Sequence, residues 1–132
     1  MATGCPLGMR RSNLLISFKY AFAGLWHVWR TQRNARIHLA LAVIVVAMGL
    51  WLGLSRTDWA ILALTIGTVL TAEVLNTVVE AAVDLVTAEY HPLAKVAKDV
   101  AAGAVLLMAV TAVVVGLLIL GPPLWRVILA AF

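Results

Sequence analysis

The chain has 132 residues, of which 64% are hydrophobic and 12% charged, and its mean hydropathy is +1.02. A soluble domain is about 45–50% apolar, so the composition excludes one and predicts an integral membrane protein with a single domain, residues 1–132. The net charge of +4 needs no nucleic-acid partner, because the chain carries no nucleic-acid motif and its Lys and Arg residues follow the pattern of a multi-pass membrane protein.

Residues 12–33 are predicted to form an amphipathic surface helix at the inner interface. Leu14, Phe18, Ala21, Phe22, Leu25 and Trp29 recur near helical spacing, with Lys19, His27 and Arg30 between them. Phe18, Tyr20, Phe22, Trp26 and Trp29 make this segment an aromatic belt. The stretch lacks an uninterrupted apolar core followed by a small-residue cleavage site, so no removable signal peptide is expected. The lone Cys5 receives no role.

Three membrane helices follow, at 37–54, 59–88 and 97–120. The first contains the uncharged run Leu39–Leu54, and His38 at its inner end reads as a capping or interfacial histidine. A turn at Ser55-Arg56-Thr57-Asp58 offers Thr57 or Asp58 as a cap for the second, with Trp51 and Trp59 marking the outer interface. His91-Pro92 interrupts the chain after the second span. The third contains Val100–Leu120, long enough to cross a hydrocarbon core of ~30 Å, and Gly121-Pro122-Pro123 is expected to end it. Arg10, Arg11, Lys19, Arg30, Arg33 and Arg36 precede the first span, and Lys95 and Lys98 lie between the second and third. That bias predicts that the N-terminus and second loop face the cytoplasm.

The second span contains Glu73-Val-Leu-Asn76-Thr77-Val-Val-Glu80-Ala-Ala-Val-Asp84. At about 100° per residue, Glu80 and Asp84 return to within roughly 20° of Glu73 on one helical stripe. A charge at the bilayer centre costs about 2.5–3.5 kcal/mol on insertion scales, so the stripe requires a purpose. Counted from Trp59, Glu73 lies roughly 21 Å from the outer interface and Glu80 about 10 Å further, at the inner water boundary. The stripe thus joins a lipid-depth carboxylate to one that water reaches. Lys98, at the start of the third span, adds a cation, and Lys with carboxylates can bind a metal-chelated polyphosphate. The chain has neither a Gly-x-x-x-x-Gly-Lys-Ser/Thr loop nor a protein-kinase glycine loop, so a kinase here would use an unrelated architecture. An ion pathway would need polar groups across the whole bilayer, and the outer half offers only Thr65, Thr68, Thr71 and Thr111.

The pattern E-V-L-N-T-x-x-E-x-x-V-D, followed by H-P-L-A-K-x-A-K-D-x-A-A-G-A-V, resembles the prokaryotic diacylglycerol kinase family, and within it the undecaprenol kinase branch. The resemblance covers about residues 12–120 and includes S-F-K-Y-A-x-x-G and R-N-A-R-I-H. It implies an all-α homotrimer of three-span subunits with active sites shared between neighbours. It also implies ATP and Mg²⁺, with direct γ-phosphoryl transfer to a lipid alcohol, undecaprenol first and diacylglycerol as the alternative. By motif, Glu73 corresponds to the general base, held by Asn76. Glu80 corresponds to a metal glutamate, supported by Asp84. Lys98 and Asp99 correspond to phosphate and nucleotide contacts, and Tyr20, Glu89, Tyr90 and His91 to other parts of the nucleotide site. Gln32 stands where the family's second metal glutamate is expected, and Asn13 where an arginine is frequent, with Arg10 or Arg11 able to replace it.

Overall fold

The structure is a computed structural model and describes residues 14–87 and 89–131. Cys5, Arg10, Arg11, Asn13 and Ala88, the last residue of the predicted second span, lie outside them. The described residues form helices only: α1 (Leu14–Thr31), α2 (Arg33–Leu52), α3 (Arg56–Val86) and α4 (Pro92–Ala130). The last three are each long and apolar enough to cross a membrane.

α1 and α2 are separated by a single residue. Gln32 takes an extended conformation (φ −95°, ψ 116°), so it stands at the N-cap of α2, yet its side chain makes no capping bond. Its backbone N–H still bonds the Val28 carbonyl, and Val28 is the buried residue of α1. The R-N-A-R-I-H segment forms the first turns of α2.

α2 ends at Gly53, whose φ of 66° is left-handed, a conformation that glycine adopts without a Cβ penalty. The Gly53 and Leu54 N–H groups both reach the Gly49 carbonyl, satisfying one of the carbonyls that a helix end leaves free. Gly49 itself is buried. A Cβ there would come within 3.0 Å of both Leu54 Cδ1 and Trp59 Cη2, so the small residue allows this corner to close. The α3 cap is Ser55, not Thr57 or Asp58. Its hydroxyl accepts the Asp58 N–H while the Asp58 carboxylate accepts the Ser55 N–H. Helix therefore begins at Arg56, and Asp58 serves from the third position as the reciprocal half of a capping box.

His91 starts α4 as the turn at His91-Pro92 predicts. Its Nδ1 accepts the Leu93 N–H at 3.2 Å, and Pro92 occupies the first helical position, where its missing N–H costs nothing. The other end departs from expectation, because α4 runs through Pro122 and Pro123 to Ala130. Each proline removes one intrahelical bond, but the residues that follow, Leu124-Trp125-Arg126-Val127-Ile128-Leu129-Ala130, continue the same helix.

α3 and α4 pack along each other most extensively, α2 lies against both, and α1 rests on α2 and α3. The buried apolar core is thin: Val28, Ala35, Leu62, Val69, Val105 and Leu120. Most large apolar side chains face outward, an arrangement that suits lipid, where exposed hydrocarbon carries no penalty. The start of α2, the end of α3 and the start of α4 share one end of this antiparallel arrangement.

Candidate active site

At about 1.5 Å per residue the 31 residues of α3 extend ~46 Å, beyond a ~30 Å hydrocarbon core. Burial falls along its acidic stripe in the predicted order. The Glu73 side chain is 2% exposed, Glu80 is half-buried, and Asp84 is 65% exposed. Three helices build a cleft of about 380 Å³ around the upper part of the stripe. Asn34, Ile37 and His38 come from α2, Glu73, Asn76 and Glu80 from α3, and the apolar wall of Ala102, Val105, Leu106 and Ala109 from α4.

Glu80 is the hub of the polar contacts. Asn76 Nδ2 donates to its Oε1 at 3.0 Å, one turn away on the same helix. Gln32 Nε2 donates to its Oε2 at 3.0 Å across 48 positions of sequence. The one-residue break between α1 and α2 makes this possible, since it frees the Gln32 side chain from capping and turns it toward α3. Asn76 therefore holds Glu80, whereas the family pattern leads one to expect it on Glu73. Thr77, also on this face, spends its hydroxyl on the Glu73 backbone carbonyl at 2.9 Å.

Glu73 meets a residue to which the sequence reading gave no part. His38 Nε2 lies 3.2 Å from Glu73 Oε1, and that oxygen is buried without an aligned hydrogen bond. A signal was available in the sequence. A carboxylate at lipid depth needs a partner, and His38 is the single titratable residue between Ile37 and Leu54.

The Mg²⁺ expected from the family pattern can be tested against these groups. Gln32 and Glu80, the two positions that correspond to metal glutamates, are in direct contact. Asn76 Oδ1 beside them is buried with no hydrogen-bond partner. One carboxylate with amide oxygens is a hard, oxygen-only set, which suits Mg²⁺ held jointly with phosphate oxygens. Among the described residues no group of three or more His, Cys, Asp and Glu side chains stands ready to hold a metal ion.

Lys98 lies where the spacing predicts, beside the stripe: its Nζ donates to Asp84 Oδ1 at 2.6 Å, joining α4 to α3. Asp99, one residue on, turns away and pairs with Lys95 on its own helix. Tyr20 on α1 and Tyr90 in the α3–α4 turn are 71% and 81% exposed, and neither lines the cleft. Glu89 helps to shape that turn through reciprocal bonds with the Thr87 hydroxyl, and His91 is occupied as a helix cap. The chain thus gathers Glu73, Asn76, Glu80 and Gln32 through direct contacts, and leaves Tyr20, Tyr90 and Asp99 outside the cleft. The Thr65, Thr68 and Thr111 hydroxyls each donate to a carbonyl of their own helix.

Residues 19–120 match the family described as prokaryotic diacylglycerol kinase. Among known proteins, the chain is 51% identical over 113 residues to a diacylglycerol kinase of Synechocystis sp., covering 85% of this chain but only 65% of that one. It is 47% identical over 108 residues to an undecaprenol kinase of Bacillus subtilis, covering 82% of this chain and 88% of that one. A diacylglycerol kinase of Escherichia coli is 30% identical over 95 residues, 72% of this chain and 78% of the other. The chain belongs to the prokaryotic diacylglycerol kinase family of membrane lipid kinases.

Proposed function

We propose that this protein transfers the γ-phosphoryl group of ATP to undecaprenol, giving undecaprenyl phosphate and ADP. The observation that carries this reading is the pairing within one cleft of a buried carboxylate, Glu73, with a half-buried one nearer the water boundary, Glu80, which Asn76 holds inside the cleft and Gln32 holds from its edge. A lipid alcohol enters from the bilayer and a nucleotide from the aqueous side, so their reacting atoms must meet across that boundary.

Glu73 serves as the general base. The acceptor O–H bond breaks, its proton passes to the Glu73 carboxylate, and the oxygen bonds to the γ-phosphorus as the bond to ADP breaks. Glu80, held by Asn76, and Gln32 would hold Mg²⁺, and the ion would supply neutralisation of charge on the phosphate oxygens. Lys98 contacts the phosphates, with Asp84 holding its ammonium at the mouth of the site. Asp99, Tyr20 and the Glu89-Tyr90-His91 turn complete the nucleotide site. The family resemblance adds a homotrimer with active sites shared between neighbouring subunits, and the position of these last residues outside the cleft of their own chain is compatible with that. Arg33 and Arg36 at the start of α2 and Lys95 and Lys98 at the start of α4 lie at the end of the molecule that carries Glu80. This supports a cytoplasmic active site in a bacterial inner membrane.

Undecaprenol is preferred as acceptor because the likeness to the Bacillus subtilis undecaprenol kinase extends over 88% of that protein. Diacylglycerol is the second reading, favoured by the 51% identity to the Synechocystis relative. Supplying both alcohols to the purified protein in the same mixed micelles, and comparing kcat/KM, tests the choice. A higher value for undecaprenol supports the first reading, and a higher value for diacylglycerol replaces it with the second.

A further inference from the structure

A carboxylate at lipid depth stays ionised only where something pairs with it. The α3 helix offers Glu73 no such partner, because Thr77 bonds its backbone carbonyl and Asn76 is turned to Glu80. The α4 wall of the cleft, Ala102, Val105, Leu106 and Ala109, is entirely apolar. The group that meets the carboxylate comes from α2: His38 Nε2, 3.2 Å from Oε1, with a side chain 18% exposed against 2% for Glu73.

We propose that His38 is the positioning residue of the catalytic base. A proton on Nε2, within reach of Glu73 Oε1, would fix the carboxylate's rotamer and leave Oε2 to receive the proton of the acceptor hydroxyl. The contact is within hydrogen-bond distance but not aligned, and catalytic hydrogen bonds are often loose until substrate is bound. A small turn of the imidazole would complete it. This inference rests on the reading of Glu73 as the base, and it assigns His38 a function beyond interfacial anchoring.

The test is steady-state kinetics of the purified protein in mixed micelles with Mg·ATP and undecaprenol, using His38→Phe, His38→Gln, Glu73→Gln and the double variant His38→Phe/Glu73→Gln. His38→Phe keeps volume and removes the donor. It should lower kcat about 10²-fold, the scale of a small misplacement of a reacting group, with both KM values within about twofold. His38→Gln keeps an N–H donor and should recover most of the loss. In the double variant, His38→Phe should add nothing to the loss caused by Glu73→Gln, as for residues acting as one unit.

A wild-type kcat in His38→Phe would overturn the inference. So would a loss in His38→Phe that His38→Gln does not relieve, or losses that multiply in the double variant. If Glu73→Gln itself turned over at the wild-type rate, the base assignment would fall and this inference with it. An inactive Glu73→Gln beside a fully active His38→Phe would overturn this inference alone.

Discussion

Gln32 and Glu80, 48 positions apart in sequence, meet through a 3.0 Å hydrogen bond from amide to carboxylate. That contact ties the break between α1 and α2 to the inner part of α3. It also explains how glutamine is accommodated where the family pattern leads one to expect a second metal glutamate. Two carboxylates at this separation repel each other unless a cation lies between them, whereas an amide binds Glu80 directly.

Gln32→Glu should therefore make stability depend on metal. In a chelator the variant loses the hydrogen bond, worth about 1 kcal/mol, and gains a repulsion, so its Tm should fall below wild type. Adding Mg²⁺ should raise the variant's Tm more than the wild type's and lower the Mg²⁺ concentration needed for half-maximal rate. Thermal melts with and without Mg²⁺ check this, and an identical Mg²⁺ response in the two proteins would remove position 32 from the metal site.

Glu80→Ala takes away the acceptor for two amides at once, Gln32 Nε2 and Asn76 Nδ2. Phosphoryl transfer should become undetectable at any Mg²⁺ concentration. The Tm should also fall, since half-buried donors left without an acceptor cost about 1–3 kcal/mol each at most. Wild-type turnover in this variant would contradict the assignment of Glu80 to metal binding.

Asp84 and Lys98 illustrate how a contact and a chemical role separate. Their ion pair is largely exposed, at 65% and 39%, and such pairs contribute about 0–1 kcal/mol. Asp84→Asn should change Tm little and slow turnover only a fewfold. Lys98→Met should raise the KM for ATP at least tenfold, because it removes the cation assigned to the phosphates. Equal kinetic losses in the two variants would indicate that the pair acts only as a strut between α3 and α4.

Pro122 and Pro123 lie within α4, where proline costs up to about 3 kcal/mol relative to alanine. Pro122→Ala and Pro123→Ala should each raise the Tm and leave kinase activity within twofold, being remote from the cleft. A fall in Tm in both variants would show that the two prolines themselves are needed for the packing of α4.

The acidic stripe could be read from sequence because a helical period puts Glu73, Glu80 and Asp84 on one face whatever packs against it. Lys98 beside that stripe was legible for a similar reason, since the short α3–α4 turn returns the chain close to where it left. His38 was not, because its partner lies on another helix and the meeting depends on how α2 packs on α3. The same holds for the direction of the Asn76 amide: one face of a helix offers it Glu73 and Glu80 alike, and only side-chain packing selects Glu80. The end of α4 was misplaced because Gly121-Pro122-Pro123 is a strong stop signal locally. It is outweighed by the apolar, helix-forming residues on its far side.

In the proposed reaction the buried Glu73 carboxylate takes the proton of a lipid alcohol during phosphoryl transfer. The most direct measurement is transfer of labelled γ-phosphate from Mg·ATP to undecaprenol by the purified protein in lipid bilayers, beside a Glu73→Gln variant shown to be folded and assembled like wild type. The account predicts label on the lipid with wild type and a loss of at least about 10²-fold in the variant, the lower range for a positioned acid or base. Wild-type rates in the variant, or no labelled lipid with wild type, would contradict it.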